Sequence, residues 1–103
     1  MKLVSWNCKG LGGNQKIEAI KRIKHSEAIS IVTIQEIKMQ KEDSLAVMKK
    51  IWKTGEGKAF SAHRTSGGIL TWWDTNLYKF LSTTKNRHWM FVELERIDTR
   101  EIL

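Results

Sequence analysis

Apolar positions along the chain switch between two spacings. Leu3, Val4 and Trp6 predict a short strand over residues 2–7 that stops at Asn7. From Gln15 to Ala28 the spacing lengthens: Ile17, Ile20, Ile23 and, more loosely, Ala28 recur between Lys16, Lys21, Arg22 and Lys24. That pattern predicts an amphipathic helix with a basic outer face and Asn14 as its N-cap. The run from Ile29 to Glu36 returns to a period of two, with Ile29, Ile31 and Thr33 on one side and Val32 and Ile34 on the other. Both sides read as buried, as in a strand inside a helix-covered sheet, and the run ends abruptly on the carboxylate of Glu36. A second helix follows, capped by Asp43 or Ser44, with Leu45, Met48, Ile51 and Trp52 in one stripe, Val47 at its margin and Gly55-Glu56-Gly57 at its end. The remainder predicts strands over 58–62, 67–73, 77–81 and 88–94. In the last of these Trp89, Phe91 and Glu93 share one face and Met90, Val92 and Leu94 the other, and Glu101-Ile102-Leu103 reads as the start of one more strand.

Strand, helix, strand, helix and then several strands in succession imply a mixed α/β sheet that begins with a parallel crossover and continues through antiparallel hairpins. Both helices are expected on one face of that sheet. A single layer of this kind leaves the other apolar face bare, so the chain reads as half of a larger domain. An uncovered sheet face is expected to drive self-association, which sedimentation reads directly.

Composition narrows the class. The 103 residues, 41% apolar and 28% charged, suit one small globular domain, and the absence of proline or any Gly/Ser-rich stretch leaves no linker to divide it. The net charge of +7 is uneven: residues 1–54 hold eleven Lys and Arg against five acids, and residues 55–103 hold seven against six. A basic amino-terminal half fits a polyanionic partner such as nucleic acid, and it equally serves solubility. The first residues are too short and too polar for a signal peptide or a membrane span, so no membrane partner is expected. Cys8 is the one cysteine, which excludes an internal disulfide and fits a reducing, intracellular compartment; with no legible base beside it, it reads as a small buried hydrophobe.

Candidate chemistry begins with Glu36, because the loop just past a buried strand is rigidly held and open to solvent. The stretch from Cys8 to Asn14 carries Gly10, Gly12 and Gly13, a loop able to adopt positive φ and to let a ligand approach its backbone. Its spacing fits neither the dinucleotide fingerprint nor a P-loop. His25 is accounted for by the preference of a helix C-terminus for basic side chains, and His63, His88 and Asp98 read as surface residues.

Three strings together carry a resemblance. Leu3-Val4-Ser5-Trp6-Asn7-Cys8-Lys9-Gly10-Leu11 resembles the opening motif of the endonuclease/exonuclease/phosphatase superfamily, Ile31-Val32-Thr33-Ile34-Gln35-Glu36-Ile37-Lys38 its second motif, and Ser66-Gly67-Gly68-Ile69-Leu70-Thr71-Trp72-Trp73-Asp74 the strand that follows. The opening string is most similar to the endonuclease domain of plant LINE-type retrotransposons. The resemblance implies the amino-terminal half of a four-layer α/β sandwich, with residues 1–103 forming a partial domain. It implies a DNA endonuclease using Mg²⁺ or Mn²⁺, with Glu36 as metal ligand and Asn7 positioning metal and phosphate, in a nuclear setting for a retroelement. It also implies that the later groups, a tyrosine or similar residue, an Asp-x-Asn pair, a later Asp and a Ser-Asp-His ending, belong to a carboxy-terminal half starting near Ile102. Lys9 stands where some members carry an Asp. Without the general base the chain alone is expected to be inactive. Two further readings keep the fold: a non-catalytic remnant that binds nucleic acid or protein, and a phosphatase acting on a small phosphorylated substrate.

Overall fold

The protein is described by a computed structural model, which places residues 3–26, 29–61, 67–85 and 89–103. At its centre strand β2 (Ile31–Gln35) runs parallel to β1 (Leu3–Asn7) and antiparallel to β4 (Ile69–Asp74), and β3 (Gly55–Phe60) completes a four-stranded sheet in the order β1-β2-β4-β3. Helices α1 (Asn14–Ser26) and α2 (Lys41–Ile51) follow β1 and β2, and β5 (Tyr78–Lys85) and β6 (Met90–Arg96) form a separate antiparallel hairpin. The architecture is therefore mixed α/β, as the alternation of apolar spacings predicts. No described helix is long and apolar enough to cross a membrane.

The period-two pattern sorts each strand onto its two faces. Val32, Ile34, Leu70, Trp72 and Ala59 meet Ile20 of α1 and Met48 and Ile51 of α2 in one buried cluster, so both helices lie on the same side of the sheet. Ile31 and Trp73 face the other way and pack against Tyr78 and Leu94 of the hairpin. That second face is not bare, contrary to the sequence reading. After β4 the chain reverses at Asp74–Leu77, where the Asp74 carboxylate accepts the Asn76 N–H at 2.8 Å, and the hairpin folds back beneath the sheet instead of extending it. Trp73 stacks on Phe80 with ring centroids 5.7 Å apart, and the Ser30 and Tyr78 hydroxyls share a buried hydrogen bond of 2.8 Å. The cover is partial: Leu3 (56% exposed) and Phe91 (60%) border a groove of about 330 Å³ between sheet and hairpin. Ile102 bridges to Glu95, with Leu94 and Leu103 exchanging backbone bonds, so the last residues do begin a further strand beside β6.

Local differences from the sequence reading have tertiary causes. Helix α1 starts at Asn14 itself, with the Ile17 N–H bonded to the Gly13 carbonyl. Helix α2 starts at Lys41, two to three residues before the expected caps, because Ser61 at the far end of β3 supplies the hydroxyl that accepts the Lys41 N–H at 2.9 Å. Ser44 lies inside the helix, buried, its hydroxyl bonded back to the Lys41 carbonyl. Gly55 and Gly57 do not end that helix but open β3. A Cβ at Gly55 would stand 1.9 Å from Trp72 Nε1, and one at Gly57 would stand 2.5 Å from the Thr71 carbonyl oxygen and from Trp72 Cε3, so these positions are small to admit the indole. Ala28, Ala62, His63, Ser66 and His88 lie outside the described residues.

Tyr78→Phe leaves the buried Ser30 hydroxyl without its partner and is expected to lower unfolding free energy by about 1–3 kcal/mol, whereas adding Ser30→Ala recovers much of that loss. Urea unfolding of the two single variants and the double variant reads the coupling.

Candidate functional site

The parallel pairing of β1 and β2 brings their last residues, Asn7 and Gln35, side by side, so the loops that follow leave the sheet together. Those loops continue the ladder. The Cys8 N–H bonds the Gln35 carbonyl at 3.1 Å, the Gly10 N–H bonds that of Glu36 at 2.6 Å, and the Leu11 N–H bonds that of Ile37 at 2.9 Å. On the other side the Ile37 and Lys38 N–H groups reach the carbonyls of Gly68 and Gly67 at 3.3 and 3.0 Å. Residues 36–38 are thus laced between the β1 loop and the start of β4, and all three sequence strings meet at one end of the sheet.

Backbone conformation shows how the side chains are sorted there. Glu36 and Lys38 both take left-handed φ, 54° and 55°, on either side of fully buried Ile37. The double reversal keeps Ile37 in the helix-side core and turns its two neighbours outward. Lys9 adopts φ 54° next to Gly10 at 108°, between buried Cys8 and Leu11, by the same logic. A left-handed residue with a side chain is disfavoured by roughly 1–2 kcal/mol, and such strain persists where surrounding bonds over-determine it.

The charges around this strained loop are mixed. Glu36 is half-buried and Asn7 exposed. Lys16 Nζ donates to the Lys9 carbonyl at 3.0 Å, and a Cβ placed on Gly10 would stand 3.7 Å from Lys16 Nζ and 3.8 Å from Lys38 Cδ, so two lysines bracket the glycine. The buried thiol of Cys8 donates to the Glu36 carbonyl at 3.6 Å, and burial pushes its pKa up. Lys16 pulls that pKa down and Glu36 pushes it up, which places both charges within electrostatic reach of one buried atom. Cys8 is accordingly a buried packing residue whose neutral thiol form burial favours.

Structure thus brings Asn7 and Glu36 to adjacent strand ends, while His25 lies on the outer side of α1 near its C-terminus and Asp98 pairs with Arg96 at the far hairpin. His63 and His88 lie outside the described residues. Sequence reasoning assigned Lys16 to a solvated helix face and missed its place beside Gly10. Its signal was position: a lysine in the first turn of a helix that directly follows a glycine-rich loop cannot be far from that loop.

No family model and no curated protein sequence matches the chain. Among solved structures it is similar to a mannosyl-6-phosphatase of Bacteroides thetaiotaomicron, with TM-score 0.75 and 12% identity over 98% of this chain and 48% of that one. It is also similar to the 3′ phosphatase NExo from Neisseria bound to a product DNA hairpin, with TM-score 0.64 and 13% identity over 96% and 39% of the two chains. A third structure, the 3′-5′ exonuclease NExo of Neisseria meningitidis, gives TM-score 0.62 and 15% identity over 99% and 40%. At these identities the likeness is one of fold. The chain spans less than half the length of each of these structures.

Lys9→Gly removes the left-handed strain and is expected to stabilise the protein by about 0.5–1 kcal/mol, while Lys9→Val, β-branched at positive φ, is expected to destabilise it by at least about 1 kcal/mol. Denaturant midpoints of the two variants against the parent check the sign.

Proposed function

We propose that the chain is part of a divalent-metal-dependent phosphoester hydrolase domain, a DNA endonuclease of the retrotransposon type, in which Asn7 and Glu36 hold Mg²⁺ or Mn²⁺ at a phosphodiester. The observation that supports this most is the lacing of the Cys8–Leu11 loop, the Glu36–Lys38 loop and Gly67–Gly68 at one sheet end. The donor set fits a hard cation: a carboxylate and an amide carbonyl are oxygen ligands, and Mg²⁺ keeps several waters, so one or two protein carboxylates suffice. Among the described residues no three His, Cys, Asp or Glu side chains cluster, so the protein's share here is the Glu36 carboxylate and the Asn7 amide. When bound, the metal neutralises charge on the phosphoryl oxygens during displacement by water.

The remaining roles belong to this chain's own residues. Glu36 supplies the negative charge that retains a cation. Asn7 can accept from one group and donate to another without adding charge. Lys16 and Lys38, bracketing Gly10, supply cationic charge for a nucleic-acid backbone. The general base and later phosphate groups belong to a second part of the domain, and these 103 residues alone bind metal and phosphate without turnover. The Neisseria phosphatase bound to a DNA hairpin supports a nucleic-acid substrate. The Bacteroides mannosyl-6-phosphatase, at TM-score 0.75, supports a second reading in which a small phosphorylated molecule takes that place.

Thermal unfolding with and without Mn²⁺, repeated for Glu36→Ala, tests the site. At ten times its dissociation constant the ion stabilises the native state by about 1.4 kcal/mol by linkage, a rise of about 5–10 °C for a domain of this size. The rise should vanish in Glu36→Ala and shrink in Asn7→Ala. A cooperative transition indifferent to Mn²⁺ would overturn the metal assignment in favour of a non-catalytic remnant.

A further inference from the structure

Helices α1 and α2 both run back from the sheet end that carries Asn7 and Glu36, so their C-termini meet at the opposite end. Helix α1 stops at Ser26, shortly before β2 begins, and α2 at Ile51, shortly before β3 begins. The first residue of β3, Gly55, pairs with the last of β4, Asp74, whose N–H bonds the Ser30 carbonyl at 3.0 Å just ahead of β2. Lys24 of α1 joins the two helix ends directly, holding its ammonium 5.8 Å from the centre of the ring of Trp52, the C-cap of α2.

This pole is rich in cations. The last two turns of α1 carry Lys21, Arg22 and Lys24 with His25, and Lys49, Lys50 and Lys53 stand at the end of α2 and just past its cap. The acids of α2, Glu42 and Asp43, lie in its first turn, at the other end of the helix. Glu18 answers Lys21 at 3.4 Å, and the Asp74 carboxylate is occupied by the Asn76 N–H. A helix C-terminus calls for about half a positive charge, so two of them account for about one of these lysines and arginine. With the two carboxylates set against two more, about three positive charges are left over among the described residues. Arg22, Lys50 and Lys53 are exposed and, among the described residues, make no hydrogen bond or ion pair. A cleft of about 590 Å³ follows the outer side of α1, lined by Glu18, Lys21, Arg22 and His25.

We propose that this pole is a second nucleic-acid contact, a sequence-independent seat for the sugar-phosphate backbone of a duplex, set about 20 Å along α1 from the strand ends of Asn7 and Glu36. Two features select that partner. The large exposed apolar residues belong to β1 and the hairpin layer, Leu3, Phe91 and Ile97 among them, and none of those described belongs to α1 or α2. A helix lying on a membrane needs such residues on its outer face. The lack of an exposed aromatic ring on either helix also leaves no platform on which single-stranded bases would stack. What remains is a set of mobile ammonium groups and one guanidinium, suited to phosphates on a duplex that carries a charge about every 1.7 Å of its axis. The seat holds whether or not Asn7 and Glu36 bind metal.

Fluorescence anisotropy of a labelled DNA duplex of about 20 base pairs, titrated at several salt concentrations, reads the contact. The triple variant Arg22→Gln, Lys50→Gln, Lys53→Gln is expected to weaken binding at least tenfold at low salt. It should also flatten the dependence of log affinity on log salt by about 2–3, since each phosphate contact contributes about 0.9. A control that loses the same charge from the hairpin side, Lys58→Gln, Lys79→Gln, Arg100→Gln, should weaken binding less than threefold, and the charge-keeping Arg22→Lys should bind as the parent does. Urea midpoints confirm that each variant is folded, and the thermal response to Mn²⁺ tests the Glu36 site separately. Equal losses in the two triple variants, no saturable binding at low salt, or tighter binding to phosphatidylserine vesicles or poly-glutamate than to the duplex would each overturn the proposal.

Discussion

Strand β2 is bonded on both edges and covered on both faces, and the place of every group at the sheet end follows from that enclosure. Its edges belong to β1 and β4, Val32 and Ile34 lie in the helix-side core, and Ile31 lies against Trp73, Tyr78 and Leu94. A register slip of one residue would exchange the two faces, driving Thr33 into the helix core and Val32 toward the hairpin, so register is strongly specified. With register settled, Gln35 is the last rung and Glu36 the first residue beyond it. A carboxylate that would drift on a free loop is held at the end of a strand paired on both edges.

Holding it there has a conformational cost. Ile37 must return to the core one residue after Glu36 leaves the ladder, and the chain achieves this by left-handed turns at Glu36 and Lys38 with backbone bonds to Gly10, Leu11, Gly67 and Gly68. Every one of those bonds uses a backbone group that the turns would otherwise leave unpaired. Strain, buried anchor and presented side chain are thus three aspects of one local solution. Lys16 and Lys38 stand beside Gly10, whose N–H bonds the Glu36 carbonyl, so cationic side chains collect at this end of the sheet.

The far edge of the sheet follows a different constraint. Trp72 is too large for the space between α2 and β3 unless β3 has no side chains beneath the indole, hence Gly55 and Gly57. The edge strand is blunted by lysines, with Lys49 on the Gly55 carbonyl and Lys85 on that of Ala59, which discourages pairing with other chains there. The apolar surface that remains open lies instead between β1 and the hairpin, bordered by Leu3 and Phe91. The packed hairpin makes the bare face of the sequence reading a half-filled groove.

Periodicity alone determined the element types, the burial of both sides of β2, the two faces of β2 and of β6, and the position of Glu36 at a strand end. These are consequences of local spacing, and local spacing is written in the chain. Glu36 was legible as a candidate for the same reason, standing where an apolar run stops, whereas Asn7 became one only through the resemblance that the opening string carries. The early start of α2 was not legible, because the hydroxyl that receives its first N–H comes from Ser61, twenty residues away. Nor was the role of Gly55 and Gly57, whose composition resembles a helix stop until the indole of Trp72 is laid across them. The return of β5 and β6 beneath the sheet depends on the Ser30–Tyr78 bond and the Trp73–Phe80 stack, contacts between residues distant in sequence or joined only after the Asp74 turn. The place of Lys38 beside Gly10 was likewise decided in three dimensions, because the Glu36–Lys38 loop and the glycine loop become neighbours only when β1 and β2 pair.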